Sequence, residues 1–213
     1  MTEFLSALEN ELKKELPGTD VQWQMASSDR YLKAFPRIPG PDAQAASVLV
    51  LLFPCHGNVH TLLMQRPEYK GIHGGQISFP GGKKEDHDRD SVETALREAK
   101  EETGIDPGSV NITGILTPLF IPVSNMLVTP VLGWTDFKPR YTVHPREVAF
   151  LIEADLNRLL DPSTVRTKPM QIRGETIEVK YFAYDDHVIW GATAMIINEL
   201  LAIIRRGQIS VAV

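Results

Sequence analysis

Apolar and polar positions along the chain sort into segments of two different periods. Residues 1–16 set Phe4, Leu5, Leu8, Leu12 and Leu16 among alternating acids and bases, the pattern of a short amphipathic helix. Pro17-Gly18 breaks it, and Pro36, Pro39, Gly40 and Pro41 form a connector. The pattern therefore predicts an N-terminal helical appendage over residues 1–41 and a main body over residues 42–213. The body opens with a β-branched and leucine run, Ser47 to Phe53, followed by a second run from Val59 to Gln65. Two such runs around a Gly57-Asn58 turn read as a β-hairpin. A helix is predicted over Ser91–Thr103, and strands over Ile112–Leu119, Leu127–Trp134 and Val148–Glu153. A second hairpin is predicted from Val165–Ile172 and Thr176–Tyr184, turning at Arg173-Gly174. The last helix runs from about Ala192 to Arg206. Gly207 suits a left-handed cap there, and Arg205 and Arg206 sit where the helix dipole favours cations. Strands in the middle with helices interspersed give a mixed α/β domain.

Composition narrows the partners. The 213 residues carry 22 Lys+Arg against 27 Asp+Glu, a formal net charge of −5, with 43% hydrophobic residues. This is ordinary globular composition. The mild acidity gives no field for a long polyanion, so basic-patch nucleic-acid binding is not expected. No apolar run approaches the roughly 20 residues of a membrane span. The longest candidates, Ala45–Phe53 and Ala192–Ile204, are stopped by Pro54 and interrupted by Asn198 and Glu199. The N-terminus lacks the basic start and continuous apolar stretch of a signal peptide. One cysteine, Cys55, permits no intrachain disulfide, which favours a reducing, cytoplasmic setting. Cys55, His56 and His60 fit no standard structural zinc spacing.

The chemistry concentrates around residues 71–105. Asp90 can cap the predicted helix with Glu93 completing a capping box, and Gly104 can end it. Val92, Ala95, Leu96 and Ala99 share a face to be buried. Glu98, Glu101 and Glu102 fall on an adjoining arc and repel one another unless a cation sits among them. Hard oxygen ligands so placed suit Mg²⁺. Taken alone, the arc also reads as a solvated face neutralised by Arg97 and Lys100. The stretch before it, Gly71-Ile72-His73-Gly74-Gly75-Gln76-Ile77-Ser78-Phe79-Pro80-Gly81-Gly82, lets backbone amides approach an anion. A glycine-rich loop leading into an acidic helix describes a site for a phosphate chain plus a divalent cation.

Gly82 to Ile105 resembles the Nudix box, G-x(5)-E-x(7)-R-E-U-x-E-E-x-G-U, where U is aliphatic. Arg97-Glu98-Ala99-Lys100-Glu101-Glu102-Thr103-Gly104-Ile105 matches its second half. The first half departs. Fourteen residues separate Gly82 from Arg97, against thirteen in the pattern, so Asp88 or Arg89 stands where the first acid is counted. Leu62-Leu63-Met64-Gln65-Arg66, His73-x-Gly75-Gln76-Ile77-Ser78-Phe79-Pro80-Gly81-Gly82, Glu85, Asp88 and Thr94-Ala95-Leu96-Arg97-Glu98 are similar to the added signature of coenzyme A pyrophosphatases. Val128-Thr129-Pro130-Val131, Glu147-Val148 and Ile189-Trp190-Gly191-Ala192-Thr193-Ala194 extend the resemblance to about residues 47–205.

The resemblance implies a Nudix-type α/β/α sandwich, an α/β (α+β) fold with a mixed sheet. It also implies Mg²⁺- or Mn²⁺-dependent hydrolysis of the pyrophosphate of coenzyme A or its derivatives, giving 3′,5′-ADP and 4′-phosphopantetheine. Glu98, Glu101 and Glu102 become the expected metal ligands, with Glu101 and Glu102 also in the catalytic set. Arg97 holds the carboxylates, and Glu147 is a candidate general base. Arg66, His73, Gly75, Gln76, Gly81 and Gly82 are the expected substrate-binding residues, and Trp190 reads as a core aromatic. Another nucleoside diphosphate derivative, such as ADP-ribose or a dinucleotide, would use the same catalytic helix. A non-catalytic binding module usually lacks box glutamates, which this chain retains. The apolar N-terminal helix and the subgroup resemblance lean towards a homodimer.

Overall fold

The structure, a computed structural model, describes residues 1–28, 35–68, 74–172 and 174–213. Its helices are α1 (Thr2–Leu12), α2 (Gly18–Trp23), α3 (Ser91–Thr103), α4 (Leu156–Leu160) and α5 (Gly191–Arg206). Its strands are β1 (Gln44–Cys55), β2 (Asn58–Gln65), β3 (Ile77–Ser78), β4 (Gly81–Lys83), β5 (Asn111–Ile115), β6 (Leu119–Ile121), β7 (Met126–Trp134), β8 (Phe150–Asp155), β9 (Val165–Ile172), β10 (Glu175–Tyr184) and β11 (His187–Trp190).

The long apolar run forms β1 because both of its faces are covered, so it needs no alternation. Leu49, Leu51 and Phe53 face α3, packing with Ala95, Ala99 and Val131. Val50 and Leu52 face the other side, with α1, α2 and α5. β1 pairs in parallel with β7 and antiparallel with β2 and β4, so the sheet is mixed. Its order is β3-β2-β1-β7-β5, with β4 beside β1, β6 beside β7 and β8 beside β2. A separate sheet, β11-β10-β9, packs near α5. Helices on both faces of the mixed sheet make the expected α/β/α sandwich.

Several local expectations shift. The first hairpin turns at His56-Gly57, both at positive φ, as a tight two-residue turn between right-twisting strands demands. The strand expected over Ile112–Leu119 is split into β5 and β6 around Thr117-Pro118, since proline has no amide hydrogen to give a ladder. Gly207 ends α5 in the right-handed region, not the left-handed one; Gln208 takes the positive φ instead. In the expected capping box, Asp90 does accept from the Glu93 amide at 2.9 Å. The Glu93 carboxylate, however, bonds the amide and side chain of Arg89 and not the amide of Asp90.

The N-terminal segment is not a separable appendage. Phe4, Leu5, Leu8 and Trp23 are buried in the same core as α5. The two polar residues that interrupt the α5 apolar run carry the docking. Asn198 donates to the Val21 carbonyl at 2.7 Å. Glu199, fully buried, accepts from Gln22 at 2.8 Å, from the Thr117 hydroxyl at 2.5 Å and from the Gly18 amide at 3.2 Å. At the far end Arg206 pairs with Glu11 at 2.7 Å. The apolar face of α1 is therefore spent within the chain, which removes it as an argument for a dimer. Among the described residues no helix is long and apolar enough to cross a membrane.

Candidate active site

The site assembles where β4 crosses the middle of α3. Asp90 caps the start of α3, and Gly104 ends it at φ +73 with its amide bonded to the Lys100 carbonyl at 2.8 Å. A side chain at Gly104 would collide with Thr142. Bonds from the Thr142 amide to the Thr103 carbonyl and from the His144 amide to the Glu102 carbonyl tie the 142–148 loop to the helix end. That loop brings Glu147 close enough for its charge to raise the pKa of both Glu98 and Glu102.

Gly82 is a glycine for want of space: a Cβ there would stand 2.5 Å from the Glu98 carboxyl carbon. The neighbouring Gly81 lies against β1, and a Cβ would overlap the Ser47 carbonyl oxygen. Its amide donates to Glu102 Oε2 at 2.8 Å. Glu102 is 2% exposed and has Arg66 Nη2 at 3.3 Å from its other oxygen. Burial pushes the Glu102 carboxyl up to about 7, against the opposing pull of Arg66 and the Gly81 amide. Burial raises Glu98 as well, with Arg97 opposing.

Arg97 is the hub. Its Nε and Nη2 grip both oxygens of Asp88 at 2.9 Å. Its Nη1 reaches Glu98 at 2.9 Å and Glu101 at 3.4 Å, and Nη2 also donates to the Lys83 carbonyl at 3.0 Å. The Asp88 side chain is fully buried and also accepts from the Glu85 amide and the Thr94 hydroxyl. The bonded guanidinium holds its carboxyl far below the usual carboxylate range. Asp88 is thus the acid of the divergent first half of the motif: the extra residue is absorbed in the turn before α3, and the buried partner of Arg97 survives.

The expected residues divide into three groups. Glu98, Glu102, Arg97, Arg66, Gly81 and Gly82 come together. Glu101 is apart from Glu102, half exposed and turned to Arg97, so the cation lying between Glu98 and Glu101 is a guanidinium. Among the described residues no three carboxylate, imidazole or thiol groups close around one point. Glu98 and Glu102, both raised by burial, fit an open site for a cation that keeps waters and takes its remaining ligands from phosphate. Glu147 lies near but half exposed, with His144 Nδ1 3.3 Å away. Gly75 sits outside this group, with φ +70 and its amide bonded to the Pro67 carbonyl; its role is to turn the loop. His73 lies outside the described residues.

Beside this group opens a cavity of about 570 Å³, a volume typical of small-molecule sites. Arg66, Gln76, Gly81 and Gly82 line it. Ile177 of the second sheet and Trp190, just before α5, line it as well. Trp190, expected as a core aromatic, is half-buried on the cavity wall. Gly191 next to it, at φ +63, turns the chain abruptly into α5.

A pocket of small-molecule size thus opens beside buried glutamates and a glycine strand, and comparison with known proteins supplies the family. The NUDIX domain family profile matches residues 43–195. Over 164 residues the chain is 37% identical to the uncharacterized Nudix hydrolase NudL of Pectobacterium atrosepticum, covering 76% of this chain and 83% of that protein. It is 32% identical to NudL of Yersinia pestis over 198 residues, 93% of this chain and 94% of that one. It is 35% identical to the chloroplastic Nudix hydrolase 22 of Arabidopsis thaliana over 75% of this chain, and the match spans only 55% of the plant protein. The chain belongs to the Nudix hydrolase family. Divalent-metal dependence is general in that family, whose members act on nucleoside diphosphate derivatives.

Proposed function

We propose that this chain hydrolyses the pyrophosphate bond of coenzyme A or its derivatives, giving 3′,5′-ADP and 4′-phosphopantetheine. One observation carries the choice of substrate. Three separate parts of the coenzyme A signature, Arg66 with Gln76–Phe79 and Gly81–Gly82, Val128, and Trp190–Thr193, all line one cavity beside Glu98 and Glu102. Residues that the catalytic helix does not require thus surround the space where specificity is set.

A divalent cation, Mg²⁺ or Mn²⁺, held by Glu98 and Glu102 with Glu101 beside them, would neutralise phosphoryl oxygens and activate water. Arg97, locked by Asp88, orients Glu98. Glu147 accepts the proton of the water that adds to phosphorus as the bridging P–O bond breaks. Gly81 and Gly82 line the cavity and let β1 and Glu98 pack close behind it.

A substrate panel tests this reading. With Mg²⁺ or Mn²⁺ the protein should turn over coenzyme A in preference to ADP-ribose, NADH and dinucleoside polyphosphates. Equal or absent turnover of coenzyme A would refute the substrate, while leaving the Nudix chemistry to the other compounds.

A further inference from the structure

Among the described residues, Arg66 and Lys83 line the cavity and Arg97 stands behind it, and the three are committed to different degrees. Arg97 spends its guanidinium on Asp88, Glu98, Glu101 and the Lys83 carbonyl. Arg66, assigned to substrate by its place in the sequence, donates to the Gly81 carbonyl at 3.0 Å and stands against Glu102. Pulling it away would leave a buried carboxylate without its ion partner, a costly exchange. Lys83 is not committed in this way. It ends β4, its backbone is fixed by pairing with Ala46 and by the bond from Arg97, and its exposed side chain lines the cavity. Among the described residues its ammonium makes no hydrogen bond or ion pair.

This matters because the site is crowded with negative charge. Glu98, Glu101, Glu102 and Glu147 repel a diphosphate; a divalent cation would offset part of this, and further attraction comes from a protein charge not already neutralised. An ammonium on a flexible stem is a compact point charge that meets phosphate well. The geometry points to Lys83 as a substrate-binding residue: its ammonium holds a phosphate oxygen of the diphosphate from the cavity side. Arg66 is then a positioning residue that keeps Glu102 and the glycine strand in place. The assignment rests on the diphosphate-hydrolase reading above, though not on coenzyme A as the substrate.

The test compares wild type, Lys83→Gln and Lys83→Arg in two measurements. With coenzyme A at saturating Mg²⁺, K83Q should raise KM about tenfold, the scale of one charged hydrogen bond, with kcat changed less than about threefold. K83R should recover most of the loss. KM of wild type should also rise more steeply with added salt than KM of K83Q. An unchanged KM in K83Q, or a fall in kcat alone, overturns the assignment. The second measurement is calorimetric binding of ADP, which needs no turnover. K83Q should bind it about tenfold more weakly; equal affinity, or no binding to wild type, overturns the assignment. If coenzyme A is inert while the ADP difference stands, only the substrate proposal fails.

Discussion

Replacing Gly82 by alanine isolates the geometry of Glu98 from the stability of the fold. The added Cβ would stand 2.5 Å from the Glu98 carboxyl carbon and Oε2, and 2.6 Å from Oε1. Carbon contacts settle at about 3.5–4.0 Å, so the carboxylate must retreat by about 1 Å. It cannot do so freely, because the side chain is 16% exposed and held by Arg97 at 2.9 Å. A misplacement of about 1 Å in reacting geometry costs about 10²-fold in rate. The fold should survive, since the obstacle is the end of a side chain and not backbone. A loss of about 1 kcal/mol would lower Tm by about 2–4 °C in a chain this long. The assay is kcat/KM for coenzyme A at saturating Mg²⁺ beside a thermal melt. A Gly82→Ala variant within about threefold of wild type would refute the role given to Glu98 and the reason given for the glycine. Gly81→Ala should behave differently. Its Cβ meets the backbone of Ser47 and Val48, which cannot yield, so stability and not only rate should collapse.

Glu102 links metal, pH and stability. Its carboxyl titrates near 7 in the fold against an ordinary 4.5, so the native state holds the proton longer than the unfolded chain. Stability therefore falls as pH rises from about 4.5 to 7, and the penalty, at most about 3 kcal/mol, is fully present above 7. Mg²⁺ or Mn²⁺ should raise Tm at pH 8 and hardly at pH 5, and Glu102→Gln should abolish that shift along with most activity; an equal shift at both pH values would remove Glu102 from the cation site. Asp88 has the opposite sign: its depressed carboxyl stabilises the fold above the ordinary carboxylate range, and that contribution disappears as pH falls through its folded value. Asp88→Asn should cost about 1–3 kcal/mol at neutral pH, flatten the acid limb of the stability curve and lower kcat through Arg97; denaturant melts from pH 2 to 7 would show it. Deleting residues 1–41 should yield insoluble or unfolded protein, because α5 would be exposed and Glu199 would lose its Gln22 and Gly18 donors; a folded, active truncate would contradict the packing described.

Local patterning along the chain specifies most of the elements and the residues of the acidic helix. The period of residues 91–103, the Asp90 cap and Gly104 specify α3 locally, so its position and its Arg97, Glu98 and Glu102 were readable without a fold. The apolar run of β1 was readable for the same reason, because hydrophobic patterning is a local property. Tertiary structure decided what depended on residues distant in the chain. Asp88 became the anchor of Arg97 only when the preceding turn folded back onto α3. Arg66 was claimed by Glu102 and Gly81, leaving the phosphate-facing position to Lys83. Asn198 and Glu199, which read as breaks in an apolar helix, became the attachment of the N-terminal segment. Spacing along a chain shows which charges can share a helix face. Which charge is already neutralised depends on what packs against it, and only the folded structure supplies that.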